Sequence, residues 1–312
     1  MAVPTLEDVI ANFGLGPDEA RRVRAGELIQ TTTKETSDRE LAAVMVFLVK
    51  APVATLVSAF EVGKGFANDP QIQAAIEIRG DGTIEDFKAV VLQPGADSEA
   101  QRYRKAAPGD VLNLSLQEIA AFDALDGAGT ASVEDAVRRM LLGRYQAYRA
   151  NGLAGIAPYA RAGGKTAQPA DDLRRATDAA AIIKRYVPAF HDVLLRYPAI
   201  KPAGLEERFF CIRYAMGGRP NITLRHRLTL PVDDACVAAD REFYVSHEYN
   251  DMQAIAGLLR VEDGTAVVYV ARTTTDQLGG FGASVKQAVG RGMMSKQIAA
   301  IFEKSRAGFR TQ

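Results

Sequence analysis

Between Asn221 and Leu230 the chain alternates without a fault: Ile222, Leu224, His226, Leu228 and Leu230 fall on one side, and Thr223, Arg225, Arg227 and Thr229 on the other. Period two over this length predicts a strand whose apolar side packs on a core. Similar runs follow at Cys236 to Tyr249, Ala254 to Val261 and Ala266 to Thr275, and one precedes at Phe209 to Tyr214. The turn signals between them, Gly217-Gly218, Asp233-Asp234, Asn250-Asp251 and Asp263-Gly264, leave no room for crossover helices. The five strands therefore form an antiparallel meander. Nearer the N-terminus, Leu28 to Thr33 and Glu40 to Lys50 predict a first hairpin, and Gln73 to Arg79 with Ile84 to Leu92 predict a second around Gly80-Asp81-Gly82.

Helical spacing takes over elsewhere. Gly16-Pro17-Asp18-Glu19 opens a short helix that Gly26 stops, and Ala51-Pro52 opens another carrying Val53, Leu56, Val57 and Phe60. Ser115 with Glu118, and Ser132 with Asp135 and Glu134 beside it, read as capping devices; the second leads into the stripe Val137, Met140, Leu141, Tyr145 and Tyr148. Pro158 to Pro169 reads as a loop, and Asp171 to Tyr197 as helix interrupted at Pro188. A long last helix runs from Ala283 to Phe302, with Val285, Val289, Met293 and Ile301 on its apolar side and Gly290 and Gly292 allowing a close approach to a sheet. The expected class is α+β: a curved antiparallel sheet gripping a long C-terminal helix. Residues 1–110 and 202–312 form that domain together, and residues 111–201 a helical insertion that serves as a lid or second lobe.

This order of elements resembles the START-like, or helix-grip, superfamily, over Leu41 to about Leu92 and about Phe209 to Phe302; the inserted helices depart from the usual pattern. The resemblance implies an apolar cavity between sheet and C-terminal helix. The stretch from Glu242 to Asp276, with REFYVSHEYNDMQAI and VYVARTTTDQLGGFG, looks like a family of uncharacterised bacterial proteins that commonly carry an export leader. That second likeness implies a cell-envelope setting and no activity.

Charge narrows the partners. Lys plus Arg number 38 and Asp plus Glu 38 in the 312 residues, so no broad positive field exists to neutralise a phosphate backbone and no nucleic-acid partner is expected. Trp is absent. Glu7 and Asp8 stand where a leader needs an apolar core, and the most apolar run, Leu41 to Val49, is far below the ~20 residues that cross a bilayer. The expected setting is periplasmic or exported if a leader was removed and cytoplasmic otherwise, with no transmembrane segment and with peripheral membrane or envelope contact left open.

Chemical motifs are sparse. Gly163-Gly164-Lys165-Thr166 matches the end of a phosphate loop, but Tyr159 stands where its first glycine belongs; Gly280-Phe281-Gly282 lacks a third glycine at Val285. Gly282-Ala283-Ser284-Val285-Lys286 lacks the second glycine of a nucleophile elbow. His226 and His247 have no short-spaced ligand partner, and Cys211 and Cys236 form no metal pattern. No cofactor, metal or catalytic residue is assigned. The candidate ligand-cavity residues are His226, His247, Tyr249, Tyr269 and Thr273, taken from their faces in the predicted strands. The function they suggest is non-catalytic binding of an apolar or amphipathic, lipid-like small molecule. Two alternatives stay open: a cyclase or hydratase using a cavity histidine as acid/base, and an envelope interaction module whose sheet is fully packed.

Overall fold

A computed structural model describes residues 3–63, 69–92, 98–109, 111–216, 218–278 and 283–310. The chain opens with helices α1 (Leu6–Ala11) and α2 (Pro17–Arg24), then strands β1 (Ile29–Thr31) and β2 (Glu40–Val49), helix α3 (Val53–Glu61) and strand β3 (Ile72–Ile78). Helices α4 (Glu99–Arg104), α5 (Leu116–Asp123) and α6 (Thr130–Asn151) follow, then a small hairpin of β4 (Tyr159–Ala160) and β5 (Thr166–Ala167), and helices α7 (Pro169–Asp178), α8 (Ala181–Tyr186) and α9 (Pro188–Arg196). Strands β6 (Glu206–Met216), β7 (Arg219–Val232), β8 (Ala235–Val245), β9 (Asp251–Val261) and β10 (Gly264–Thr274) lead to α10 (Ala283–Arg310).

The class is α+β, built on an eight-stranded curved antiparallel sheet in the order β1-β2-β10-β9-β8-β7-β6-β3. The meander β6 to β10 forms as its turn residues require, and β2 closes beside β10, with Met45 opposite Tyr269 and Leu41 opposite Thr273. Both faces of the sheet are covered, which is why β2 and β8 are buried at every position instead of alternately. On one face, Met45, Phe47, Val267 and Leu258 pack against Leu56 of α3 and against Ile298, Ala299 and Phe302 of α10. The opposite, far face carries three clusters. Val44, Val46 and Val268 meet α1 and α2; Leu228, Val237 and Ile255 meet α8 and α9; Phe209, Leu224, Phe243 and Tyr244 meet α6.

A β-bulge builds the last of these clusters. The β7–β8 register shifts between Leu224 and Arg225, whose partners are Tyr244 and Glu242. Phe243 is thereby skipped, so it and Tyr244 both reach the cluster beneath α6. Phe243 stacks on Tyr148 at 4.0 Å between centroids.

Several expectations are corrected. Ile84 to Leu92 makes no second hairpin: the Thr83 backbone N–H donates to the Asp86 carboxylate (2.7 Å), which starts a 3₁₀ turn at Ile84–Phe87 and leaves β3 as the sheet edge. Ser132 caps nothing, because α6 begins two residues earlier behind Gly129, and Glu134 instead accepts the Leu92 N–H at 2.9 Å. The Asp171 to Tyr197 helix is three helices. Cys236 to Tyr249 is strand only to Val245, since Glu248 takes φ 76° and turns the chain. In α10 the side facing the sheet is not the expected one. Val289 and Met293 are 60% and 69% exposed, while Phe302 rests on Phe47 and Tyr269 with centroids 4.7 and 4.8 Å away; the side chains of Val285 and Ile301 lie outside the described residues. Gly290 does permit close approach, as a Cβ there would come within 3.1 Å of Leu41 Cδ1.

Candidate functional site

The five residues singled out from the sequence do not converge. Tyr249, Tyr269 and Thr273 belong to the face that α10 covers. There the Tyr249 hydroxyl donates to Glu242 at 2.6 Å and contacts Tyr214, within a buried network in which Arg227 binds both Asp240 oxygens (2.8 and 2.7 Å) and Arg225 pairs with Glu242. Burial works against ionisation of Asp240, yet Arg227 and Arg225 hold its carboxyl below the usual range. Tyr269 is taken up by Phe302, and Thr273 is half-buried between Leu41 and Met252.

His226 lies on the far face. As its alternation predicts, it points with the apolar set, and Leu224 and Leu228 flank it in the core. Its ring stacks on Phe209 at 4.2 Å, Nδ1 meets the Tyr148 hydroxyl at 3.0 Å, and Nε2 stands 3.5 Å from the Glu207 carboxylate. Burial pushes its pKa down to about 4, so the ring is neutral at pH 7. His247 sits at the end of β8, beyond the regular strand: Nε2 meets the Pro220 carbonyl at 2.6 Å, and Nδ1 lies 3.2 Å from Glu248 and 3.4 Å from Arg219. Burial lowers its pKa too.

Among the described residues only a space of about 10 Å³ adjoins His247, and a larger one lies elsewhere. A cavity of about 150 Å³ lies on the far face, between the sheet and a roof made by α1 and the α7–α8 corner, on the opposite side from α10. Its floor is Val237 of β8, Ile255 and Gly257 of β9, and Val268 and Val270 of β10; Val9 and Phe13 close one side and Ile182 and Ile183 another. Two local features of sequence make it. Gly257 faces the cavity between Val237 and Val268, and a Cβ placed there would meet nothing within 4 Å, so the missing side chain is the space. Above it the run Ala176-Thr177-Asp178-Ala179-Ala180-Ala181 breaks the helix between α7 and α8 and contributes only short side chains to the lining. No histidine lines it among the described residues.

Besides Asn12, Thr33 and Tyr186, two polar side chains of the sheet line the cavity. Arg272 is held by Glu40 at 2.8 Å and by the Lys34 carbonyl. Gln253 ends the floor, and its amide oxygen accepts from Arg241 Nε (2.9 Å) and Nη2 (2.6 Å) while its Nε2 donates to Thr177 at 3.0 Å. Neither Gly257 nor Gln253 was picked out from the sequence. The available signals were a glycine inside an otherwise apolar strand and the run Asp240-Arg241-Glu242, which must bury charge on both faces of a covered sheet.

Beyond the pocket, the roof is tied to the sheet by ion pairs. Arg39 reaches Asp276 (2.7 Å) and Asp172 (3.4 Å), and Arg161 reaches Asp276 (2.7 Å), Asn113 (2.8 Å) and Asn250 (2.9 Å). Asp251 is buried beside this cluster, and desolvation, then Asp172 and Glu40, push its pKa well above the usual range. No group of His, Cys, Asp and Glu among the described residues is arranged to hold a metal ion, and no helix is long and apolar enough to cross a membrane. Cys211 and Cys236 are free and buried.

No family model and no curated protein sequence matches the chain. Among solved structures, the crystal structure of Ara h 8.0201 is similar over 45% of this chain and 89% of its own, at 11% identity and a TM-score of 0.23.

Proposed function

We propose that the protein binds an apolar or amphipathic small molecule, without catalysis, in the far-face pocket between β8–β10 and the α1/α7–α8 roof. The observation that supports this reading is the vacancy over Gly257. An apolar space in the middle of a sheet otherwise packed on both faces forgoes dispersion contacts, although a Cβ at Gly257 would meet no atom within 4 Å. Apolar pockets that admit a ligand recover those contacts on binding. In this reading residues 111–201 supply the lid, through Ala176 to Ile183. It carries with it the envelope setting implied by the likeness of Glu242 to Asp276 to exported bacterial proteins.

The test is a filled pocket. Gly257→Leu should abolish binding of a fluorescent, uncharged apolar probe such as N-phenyl-1-naphthylamine. It should also leave the melting temperature unchanged or raise it, since the leucine replaces a glycine in a strand interior and enters open space. Equal probe binding by parent and variant, or no binding by the parent at any usable concentration, overturns the proposal.

A further inference from the structure

Arg241 is wholly buried, 0% exposed, yet among the described residues no carboxylate lies within ion-pair distance of it. The contrast with its neighbours in β8 is direct: Asp240 and Glu242 point to the other face and pair with Arg227 and Arg225. Arg241 instead points to the far face, where its five N–H donors meet neutral acceptors only. Nε and Nη2 reach Gln253 Oε1, Nη2 reaches Thr177 Oγ1 at 3.3 Å, and Nη1 reaches the Tyr148 hydroxyl at 3.4 Å. A guanidinium cannot give up its proton to escape the cost of burial, so its charge persists next to the pocket with no counter-ion among the described residues.

Gln253 carries that charge to the pocket wall. Because a guanidinium only donates, the amide oxygen of Gln253 must face Arg241, and its NH₂ group is turned the other way. One of those two protons is used by Thr177. The side chain that lines the pocket's polar end thus presents an N–H backed by a full positive charge. Arg272, the cation in the lining itself, is already paired with Glu40.

Resting on the pocket reading above, we infer that its ligand is an amphipathic anion: an aliphatic chain over Gly257 and a monoanionic head group at Gln253, with Arg241 supplying the compensating charge. A negative head accepts the free amide N–H and pairs electrostatically with the buried guanidinium, whereas a neutral head gains only the hydrogen bond and a cationic head is repelled.

Three probes of one chain length separate these cases: decanoate, 1-decanol and decyltrimethylammonium, titrated at pH 8 into the full chain by calorimetry. Decanoate should bind at least about tenfold more tightly than decanol, the scale of one charge-assisted hydrogen bond, and the ammonium should not bind. Gln253→Glu gives Arg241 an internal counter-ion. That variant should fold at least as stably as the parent, keep its affinity for decanol and lose the preference for decanoate. Arg241→Met should remove the preference in the same way. Equal binding of decanoate and decanol by the parent, with both lost in Gly257→Leu, overturns the anion inference and leaves the pocket standing. An anion preference that survives in Gln253→Glu and Arg241→Met also overturns it. Failure of all three probes to bind overturns the pocket reading itself.

Discussion

His226 shows how little a face assignment says about role. The alternation around it is the cleanest in the chain, and it does point with the apolar set, but that face is packed by Tyr148, Tyr197 and Phe209 instead of opening on a ligand. A histidine whose folded pKa lies below its unfolded value stabilises the fold above about pH 6.5, and this contribution is lost as pH falls through about 4. Melting temperature should therefore decline between pH 6.5 and 4, and His226→Leu should flatten that decline while costing about 1–3 kcal/mol at pH 7 by stranding the Tyr148 hydroxyl. Binding of a pocket ligand by the folded variant should be unchanged. Asp251 has the opposite sign. Its raised folded pKa means that stability is greatest below the unfolded carboxyl range and declines as pH climbs through the folded value. Asp251→Asn should accordingly raise the melting temperature at pH 7.5 and change it little at pH 4; a loss at pH 7.5 would show that the carboxylate is needed in its charged form.

At the scale of elements, the C-terminal helix was expected from its length and its two glycines, and it forms; which side of it meets the sheet was not legible. Val289 and Met293 lie at helical spacing and look like a contact stripe, yet Phe302, Ile298 and Ala299 make the contact because two aromatic partners, Phe47 and Tyr269, wait in adjacent strands. A mean stripe cannot anticipate a partner that is contributed by β2, some 250 positions away in sequence. Val289→Asp should then shift stability by no more than about 0.5 kcal/mol, as an exposed substitution does. Phe302→Ala should cost about 1–3 kcal/mol and raise amide exchange along α10 selectively. Equal effects of the two would mean that the helix packs by its other side. The turn elements repeat the lesson on a smaller scale. Ser115 with Glu118 forms the capping box that its spacing demands, with both hydrogen bonds in place, whereas Ser132, with the same spacing, is passed over because Gly129 starts α6 first.

For the whole molecule, local sequence was sufficient wherever the deciding interaction is local. Period two and short turns fixed the strands of the meander and their antiparallel sense, since no other pairing is reachable through two- to five-residue links. The helix start at Ser115 and the α+β class followed from spacing in the same way. The placement of the inserted helices did not. Local pattern shows that each strand has two faces; it does not show which helix lands on which, because that choice is set by the area buried when segments distant in sequence meet. Only the tertiary structure covers both faces, puts α10 on one and α1 with α7–α8 on the other, and so moves the open space to the side opposite the expected cavity. It alone turns a glycine in β9 into a pocket floor, by setting a corner of alanines above it, and buries Arg241 at the pocket's end with no carboxylate in ion-pair distance among the described residues.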